Sequence, residues 1–314
     1  MSPKARRKAN PTTSPIARPT DRATIAAPGP QELLVLVGPT ASGKSDLAME
    51  LAQRFDGEIV SADSVQIVRR FDIGSGKPSA DERARVAHHL VDACDPMDPM
   101  NAARFAAAAD LAIENVRARG KVPIVCGGTF LWVKALVQGL APGAPASPEL
   151  RRAHAELAAR EGRAALHDKL AVIDPVAAAR LAPNDLLRVS RALEVFELTG
   201  TTLTDWHAAH KFGDKRHDAR LIGVDRPRDT LDARIAARAR GWLADGWADE
   251  VRDLLRDGLG EARAMGSVGY KQVREVVEGR LPLPELEVAI VRATRVFVRR
   301  QRTWLREEPV TWVS

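Results

Sequence analysis

The sequence predicts an α/β chain built on a parallel sheet, and three observations carry that expectation. Short apolar runs alternate with helical stretches from Leu33 onward. The first run, Leu33-Leu34-Val35-Leu36-Val37, leads directly into Gly38-Pro39-Thr40-Ala41-Ser42-Gly43-Lys44-Ser45. That is the pattern of a phosphate-binding P-loop, which needs a strand before it and a helix after it. A stretch of helix alone, from Glu149 to His210, then interrupts the alternation before another apolar run resumes it. The expected fold class is therefore α/β: a P-loop NTPase-like parallel sheet with flanking helices and an all-helical insertion domain.

The elements follow in order. Residues 1–30 carry Lys4, Arg6, Arg7, Lys8, Arg18 and Arg22 against Asp21, with Pro, Thr and Ala and no apolar periodicity. They read as a disordered basic tail. The chain has 47 basic and 41 acidic residues. After residue 30, 41 and 40 of these remain, so most of the net charge of +6 belongs to the tail. Bulk charge is thus weak evidence for nucleic-acid binding by the folded body. Strands are expected at 33–37, 58–62 and 122–126, with helices at 45–55, 102–119 and 131–140. Residues 140–148 hold three prolines and a glycine and mark a boundary. A helical insertion is expected at 143–212, inside a core of 31–142 and 213–314. Asp174-Pro175 and Pro183-Asn184-Asp185 supply turn or helix-cap signals within it. A strand at 220–224 ends in Asp225, which either supports a Mg²⁺ ion or caps a turn. Helices are expected from there to the C-terminus.

Several function classes are excluded. Cys94 and Cys126 have no metal-ligand spacing and suggest no disulfide scaffold. No apolar run is long enough to cross a membrane, and the basic N-terminus lacks the apolar core of a secretory signal. A reducing cytoplasm is expected.

The chemistry gathers around the glycine loop. Its backbone N–H groups can point at an anion, with the following helix adding the positive end of its dipole. Lys44 can neutralise terminal phosphate oxygens and the Ser45 hydroxyl can ligate Mg²⁺. A di- or triphosphate ligand is expected. Ser61-Ala62-Asp63-Ser64-Val65-Gln66 follows the second strand, where strand ends line the ligand crevice; Asp63 either takes a proton from a nucleophile or caps a helix. Gly127-Gly128-Thr129 follows the third strand, allowing close backbone approach and offering a hydroxyl or a cap. Asp72-Ile73-Gly74-Ser75-Gly76-Lys77 has no buried strand before it and reads as a turn. His88-His89 reads as a packing or hydrogen-bonding pair rather than a metal site. Arg292, Arg295, Arg299, Arg302 and Arg306 recur at helical spacing with interleaved aromatics, a stripe suited to a phosphate backbone.

Together these segments resemble tRNA dimethylallyltransferases, from Leu33 to about Arg306. The elements that carry the resemblance are the glycine loop, Asp63-Ser64-Val65-Gln66, Asp72-Ile73-Gly74 with Lys77-Pro78, His88–Asp92, Gly127-Gly128-Thr129, Arg191–Val195 with Thr199-Gly200, Gly269-Tyr270-Lys271, and Thr294-Arg295 through Arg300-Gln301-Arg302-Thr303-Trp304. The resemblance implies transfer of a dimethylallyl group from its diphosphate to the exocyclic amine of an adenine beside the tRNA anticodon. It implies Asp63 as base, Thr129 holding the adenine, and the glycine loop, Lys44 and Arg238 on the diphosphate, with Mg²⁺ through Ser45. Contacts to the anticodon stem-loop are implied for Asp63, Ser64, Val65, Gln66, Thr129, Arg151, Leu187, Arg188, Val189, Ser190 and Arg191, in a monomer. Val68 and Arg70 stand where the family usually has Tyr and Gly, Phe130-Leu131-Trp132 where it has Gly-Leu-Tyr, and Leu187 where Gln is common. A small-molecule or nucleoside kinase shares the loop, Mg²⁺ and an Asp base. A regulatory RNA-binding NTPase would share the loop alone.

Overall fold

The apolar run at 33–37 forms β1 (Leu33–Val37), and all five of its side chains are fully buried, as in a strand covered on both faces. The computed structural model describes residues 21–140, 146–210 and 215–313. With β1 lie β2 (Gly57–Ser61), β3 (His88–His89), β4 (Val122–Cys126), β5 (Ala219–Val224) and β6 (Thr311–Val313). Their order across the sheet is β3-β2-β4-β1-β5-β6, and every pairing is parallel. Four of the six strands fall where the sequence places them. The two edge strands, β3 and β6, are two and three residues long, too short to show a period. The expected run of helices to the C-terminus is corrected accordingly, because the chain returns to the sheet as β6.

The register decides where the chemistry gathers. Leu36 of β1 stands opposite Cys126 of β4, which stands opposite Ser61 of β2. The loops after these three strands therefore leave the same edge of the sheet side by side. Helix α1 (Lys44–Arg54) returns over the sheet and packs Leu47, Ala48, Leu51 and Ala52 against Leu34, Leu36, Ile59, Ile124 and Ile222. The remaining helices are α2 (Ala80–Arg85), α3 (Ala102–Ala118), α4 (Phe130–Gln138), α5 (Pro148–Glu161), α6 (Arg163–Ile173), α7 (Pro175–Arg180), α8 (Leu186–Thr199), α9 (Leu203–His210), α10 (Arg228–Ala244), α11 (Trp247–Arg256), α12 (Tyr270–Val277) and α13 (Leu286–Leu305). Among the described residues no helix is long and apolar enough to cross a membrane.

The chain forms two compact units. One takes Met1–Met100, Ala108–Phe130 and Ala219–Ser314; the other takes Asn101–Ala107 and Leu131–Asp218. The second extends beyond the expected insertion of 143–212, taking in most of α4 and the first residues of α3 as well. Its own core is built from Leu166, Leu170, Ala177, Ala178, Val189, Ala192 and Leu193. Asp174 caps α7 through Ala177 N–H and also accepts from the Thr204 hydroxyl and amide, while Asp185 caps α8. Both capping aspartates sit where the sequence signals them.

Residues 1–20 of the expected tail and 141–145 of the expected boundary lie outside the described residues. The last part of the supposed tail is structured. Arg22–Thr24 form a 3₁₀ turn capped by Asp21, and Ile25 packs into the cluster beneath α1. Arg54 donates to the Ile25 carbonyl at 2.5 Å. Arg70, standing where the resembled family carries Gly, has φ +71°, a left-handed conformation that glycine adopts without strain; its guanidinium pairs with Asp257. Because Ile25 lies at the rim of the core, we expect Ile25→Ala to lower the unfolding free energy by about 2 kcal/mol in urea denaturation; an unchanged midpoint would return residues 21–30 to the tail.

Candidate active site

The site begins with a loop whose backbone is held from outside. β1 delivers Gly38, where a Cβ would overlap the Val224 carbonyl. Ala41 and Gly43 take φ +67° and +97°, which turns the chain tightly before α1 starts at Lys44. No side chain caps α1, so its first-turn N–H groups remain available to an anion. The Ser42 hydroxyl is fully buried with no hydrogen-bond partner among the described residues. Three distant side chains fix the loop. Gln301 Oε1 accepts from Thr40 N–H at 2.9 Å, Arg234 Nε donates to the Ala41 carbonyl at 2.9 Å, and Arg226 Nε donates to the Ser42 carbonyl at 2.8 Å.

Next to this cradle stand the candidate base and its neighbours. Asp63 Oδ1 accepts from Val65 N–H at 2.9 Å and Gln66 N–H at 3.3 Å, so it does cap a turn. Its Oδ2 takes no hydrogen bond among the described residues, and Asp63 lines a cavity of about 580 Å³. The capping reading of Asp63 holds, and it engages only one of the two carboxylate oxygens. Thr129 Oγ1 accepts from Ser64 N–H at 3.0 Å, leaving its own hydroxyl proton to be donated elsewhere. Gly127 packs against the Ala62 carbonyl, and a Cβ on Gly128 would come within 2.7 Å of Gln301 Nε2. The glycine pair is a requirement of close packing. Gln66 accepts from the Ser61 hydroxyl and donates to the Gly76 carbonyl at 2.7 Å.

The charges in the cavity balance one another. Burial pulls the Lys44 ammonium below its ordinary value, opposed by Asp63 and reinforced by Arg238. Burial also pushes the Cys126 thiol up to about 11, so Cys126 is neutral near pH 7. Arg238, on α10, stacks over Trp242 with its guanidinium carbon 4.6 Å from the ring centroid. Burial brings it down to about 10, against the attraction of Asp63, and it stays cationic. Lys44, Ser45, Asp63, Thr129 and Arg238 all line the same cavity, although they come from four separate segments of the chain.

Some placements differ from the sequence reading. The turn at 72–77 is a turn, as expected, but it also lines the cavity: Gly74 lies against Trp247 and Gly76 against Trp242. Trp242, Trp247 and Gln301 are cavity residues whose place there the sequence reading did not foresee; glycines two apart before Lys77 were the available signal for the turn. Asp225 is engaged by Arg302, which grips both its oxygens at 2.8 and 3.0 Å. His89 Nε2 lies 2.6 Å from Glu58 Oε2 and His88 Nδ1 lies 2.8 Å from the Val86 carbonyl, which makes the pair structural. Among the described residues no cluster of three or more His, Cys, Asp or Glu could hold a metal. The exposed Ser45 hydroxyl, an oxygen donor on the first turn of α1, fits a Mg²⁺ ion held mainly by a ligand's own phosphate oxygens and water.

In the second unit the proposed contact residues separate by helix face. Val189 is fully buried in the local core, and the Ser190 hydroxyl is buried against His154 Nδ1 at 2.9 Å. Both side chains are turned into the local core rather than toward solvent. Leu187 is 85% exposed and Arg188 is exposed beside it. Arg151 and Arg191 converge on the buried Glu194, at 2.8 and 2.6 Å. In the first unit the arginine stripe of α13 is also divided. Arg295 pairs with Asp232 and Arg302 with Asp225. Arg292, Arg299 and Arg306 are exposed and make no ion pair among the described residues.

A sequence model described as IPP transferase matches residues 66–308. The chain is 64% identical to a tRNA dimethylallyltransferase of Sorangium cellulosum over 298 residues, 95% of each chain. It is 48% identical to one of Anaeromyxobacter dehalogenans, over 90% of this chain and 94% of the relative. Among solved structures it is similar to a full-length tRNA isopentenylpyrophosphate transferase from Bacillus halodurans, with TM-score 0.66, 35% identity and 90% and 89% of the two chains covered. It is also similar to a eukaryotic dimethylallyltransferase acting on tRNA, with TM-score 0.73, 26% identity and coverage of 88% and 70%.

Glu194 generates a pH prediction. Burial pushes its carboxyl up, but Arg151, Arg191 and the Ser147 amide outweigh burial and leave it below its ordinary value of 4.5. A carboxylate with a lowered folded pKa contributes stability above its unfolded value, and that stability is lost as pH falls through the folded one. Glu194→Gln should therefore flatten the acid side of the stability–pH curve in urea denaturation; an unchanged slope below pH 4.5 would refute the ion-pair account.

Proposed function

The chain belongs to the IPP transferase family, and we propose that it transfers a dimethylallyl group from dimethylallyl diphosphate to the exocyclic N6 amine of the adenosine on the 3′ side of the anticodon in tRNAs, releasing diphosphate. The observation that carries this reading is the unengaged Oδ2 of Asp63, in a cavity that also holds Lys44, Thr129 and Arg238. That amine is a poor nucleophile, since its lone pair is delocalised into the ring. As it attacks the first carbon of the dimethylallyl group, the carbon–oxygen bond breaks and its electrons go to the diphosphate oxygen. The amine proton passes to Asp63. Negative charge grows on the leaving group, where the first-turn amides of α1, Lys44 and Arg238 stabilise it. Mg²⁺ bound through Ser45 and the diphosphate would neutralise part of the same charge. Thr129, with its hydroxyl proton free, orients the adenine, which must leave its stack to enter.

The P-loop here holds a diphosphate that departs whole, and no phosphoryl group is transferred. A kinase would need the same cradle, but the relatives support prenyl transfer. For the tRNA itself, the exposed Leu187 and Arg188, the outward atoms of Arg151 and Arg191, and the unpaired Arg292, Arg299 and Arg306 are the proposed contacts. We place the protein in the cytoplasm, acting as a monomer.

The test is direct. Full-length protein, unmodified tRNA, Mg²⁺ and labelled dimethylallyl diphosphate should give labelled tRNA. Asp63→Asn should leave tRNA binding near wild type and lower kcat by roughly a hundredfold or more. Label moving from ATP to a small acceptor, with none from the prenyl donor, would sink the reading.

A further inference from the structure

Gln301 is only 3% exposed, yet it lies in the cavity wall rather than in an apolar core. A carboxamide carries one acceptor and one donor group, and here separate loops use each of them. Oε1 accepts from Thr40 N–H at 2.9 Å, within the phosphate-binding loop. Nε2 donates to the Gly128 carbonyl at 3.2 Å, at the end of β4. The next residue along β4's loop is Thr129, whose Oγ1 accepts from Ser64 N–H and whose own N–H donates to the Ala62 carbonyl. These two bonds bracket Asp63.

The turn of α13 that carries Gln301 cannot swing. Arg302 beside it holds both oxygens of Asp225 and donates to the Arg226 carbonyl at 2.7 Å. Arg226 in turn donates to the Ser42 carbonyl. The side without room is Gly128, where a Cβ would meet Gln301 Nε2 at 2.7 Å. The amide is thus pinned between two loops by a rigid base.

We propose that Gln301 is a positioning residue: it sets the spacing between the loop that holds the departing diphosphate and the loops that carry Thr129 and Asp63. This rests on the prenyl-transfer reading above. Chemistry restricts the side chain. A glutamate keeps the acceptor for Thr40 and loses the donor for Gly128 while ionised; a methionine keeps the approximate length and loses both strong partners.

The experiment uses Gln301→Met and Gln301→Glu in the full chain. Three readouts apply: transfer of label from dimethylallyl diphosphate to tRNA, inorganic diphosphate binding by calorimetry, and the pH profile of turnover. Misplacement of a reacting group by about 1 Å can cost on the order of a hundredfold, so Q301M should lose about that much kcat. Its affinity for inorganic diphosphate should fall much less than kcat, because Arg226 and Arg234 still hold the two neighbouring carbonyls of the loop. The rate of Q301E relative to wild type should rise as pH falls and its carboxyl regains a proton to donate to Gly128. A Q301M kcat within about threefold of wild type would overturn the proposal. So would equal losses of kcat and diphosphate affinity, or a Q301E ratio that does not change with pH. If Q301M fails to fold, the Q301E profile decides alone. Wild-type protein that transfers no label refutes the reaction; wild-type activity with normal variants refutes only the role of Gln301.

Discussion

The Gly38–Ser45 loop leaves the first-turn amides of α1 without internal partners, and it places Ala41 at a φ of +67°. Such backbone is unfavourable by itself, since unpaired N–H groups and left-handed non-glycine residues each cost free energy. It persists because Arg226, Arg234 and Gln301 hold three successive residues of the loop by their backbone atoms. All three side chains come from the C-terminal third of the chain. The anion cradle therefore exists only once β5, α10 and α13 have packed. Preorganisation of this kind is what makes backbone amides effective against a developing charge, because no reorganisation is left to do at the moment of reaction.

The same packing sets the electrostatics. Lys44 and Arg238 are both lowered by burial, and each is drawn back toward the charged form by Asp63. A lone lysine and arginine at this depth would repel one another. Asp63 offsets that repulsion while its Oδ1 is tied to the 63–66 turn and its Oδ2 stays open. One carboxylate thus balances the resting site and remains able to accept a proton. Cys126, neutral at pH 7 because burial holds its thiol near 11, fills space beside Lys44 without adding charge.

Helix phase governs the second unit. The first turn of α8 divides between solvent and core: Leu187 and Arg188 face out, while Val189 and Ser190 face in. Arg191, one step further, is drawn to Glu194 by the three-residue helical spacing. Glu194 also captures Arg151 from α5 and the Ser147 amide at the start of that helix. A buried carboxylate with three partners orients both guanidiniums, so their remaining N–H groups have defined directions.

The sequence by itself determined the α/β class, four of the six strands, the P-loop and the capping aspartates Asp174 and Asp185. Each is a local signal: a five-residue apolar run, a glycine pattern between strand and helix, or a side-chain oxygen three residues before an amide. It also placed Asp63 and Thr129 at strand ends, where ligand crevices form. What it left open was settled by partners distant along the chain. Asp225 became a structural anchor because Arg302 reaches it from α13. Ile25 joined the core although its surroundings read as tail. Gly74 and Gly76 became cavity wall because Trp247 and Trp242 lie against them. Local spacing encodes which backbone can form; only tertiary packing decides which of two available partners a side chain meets.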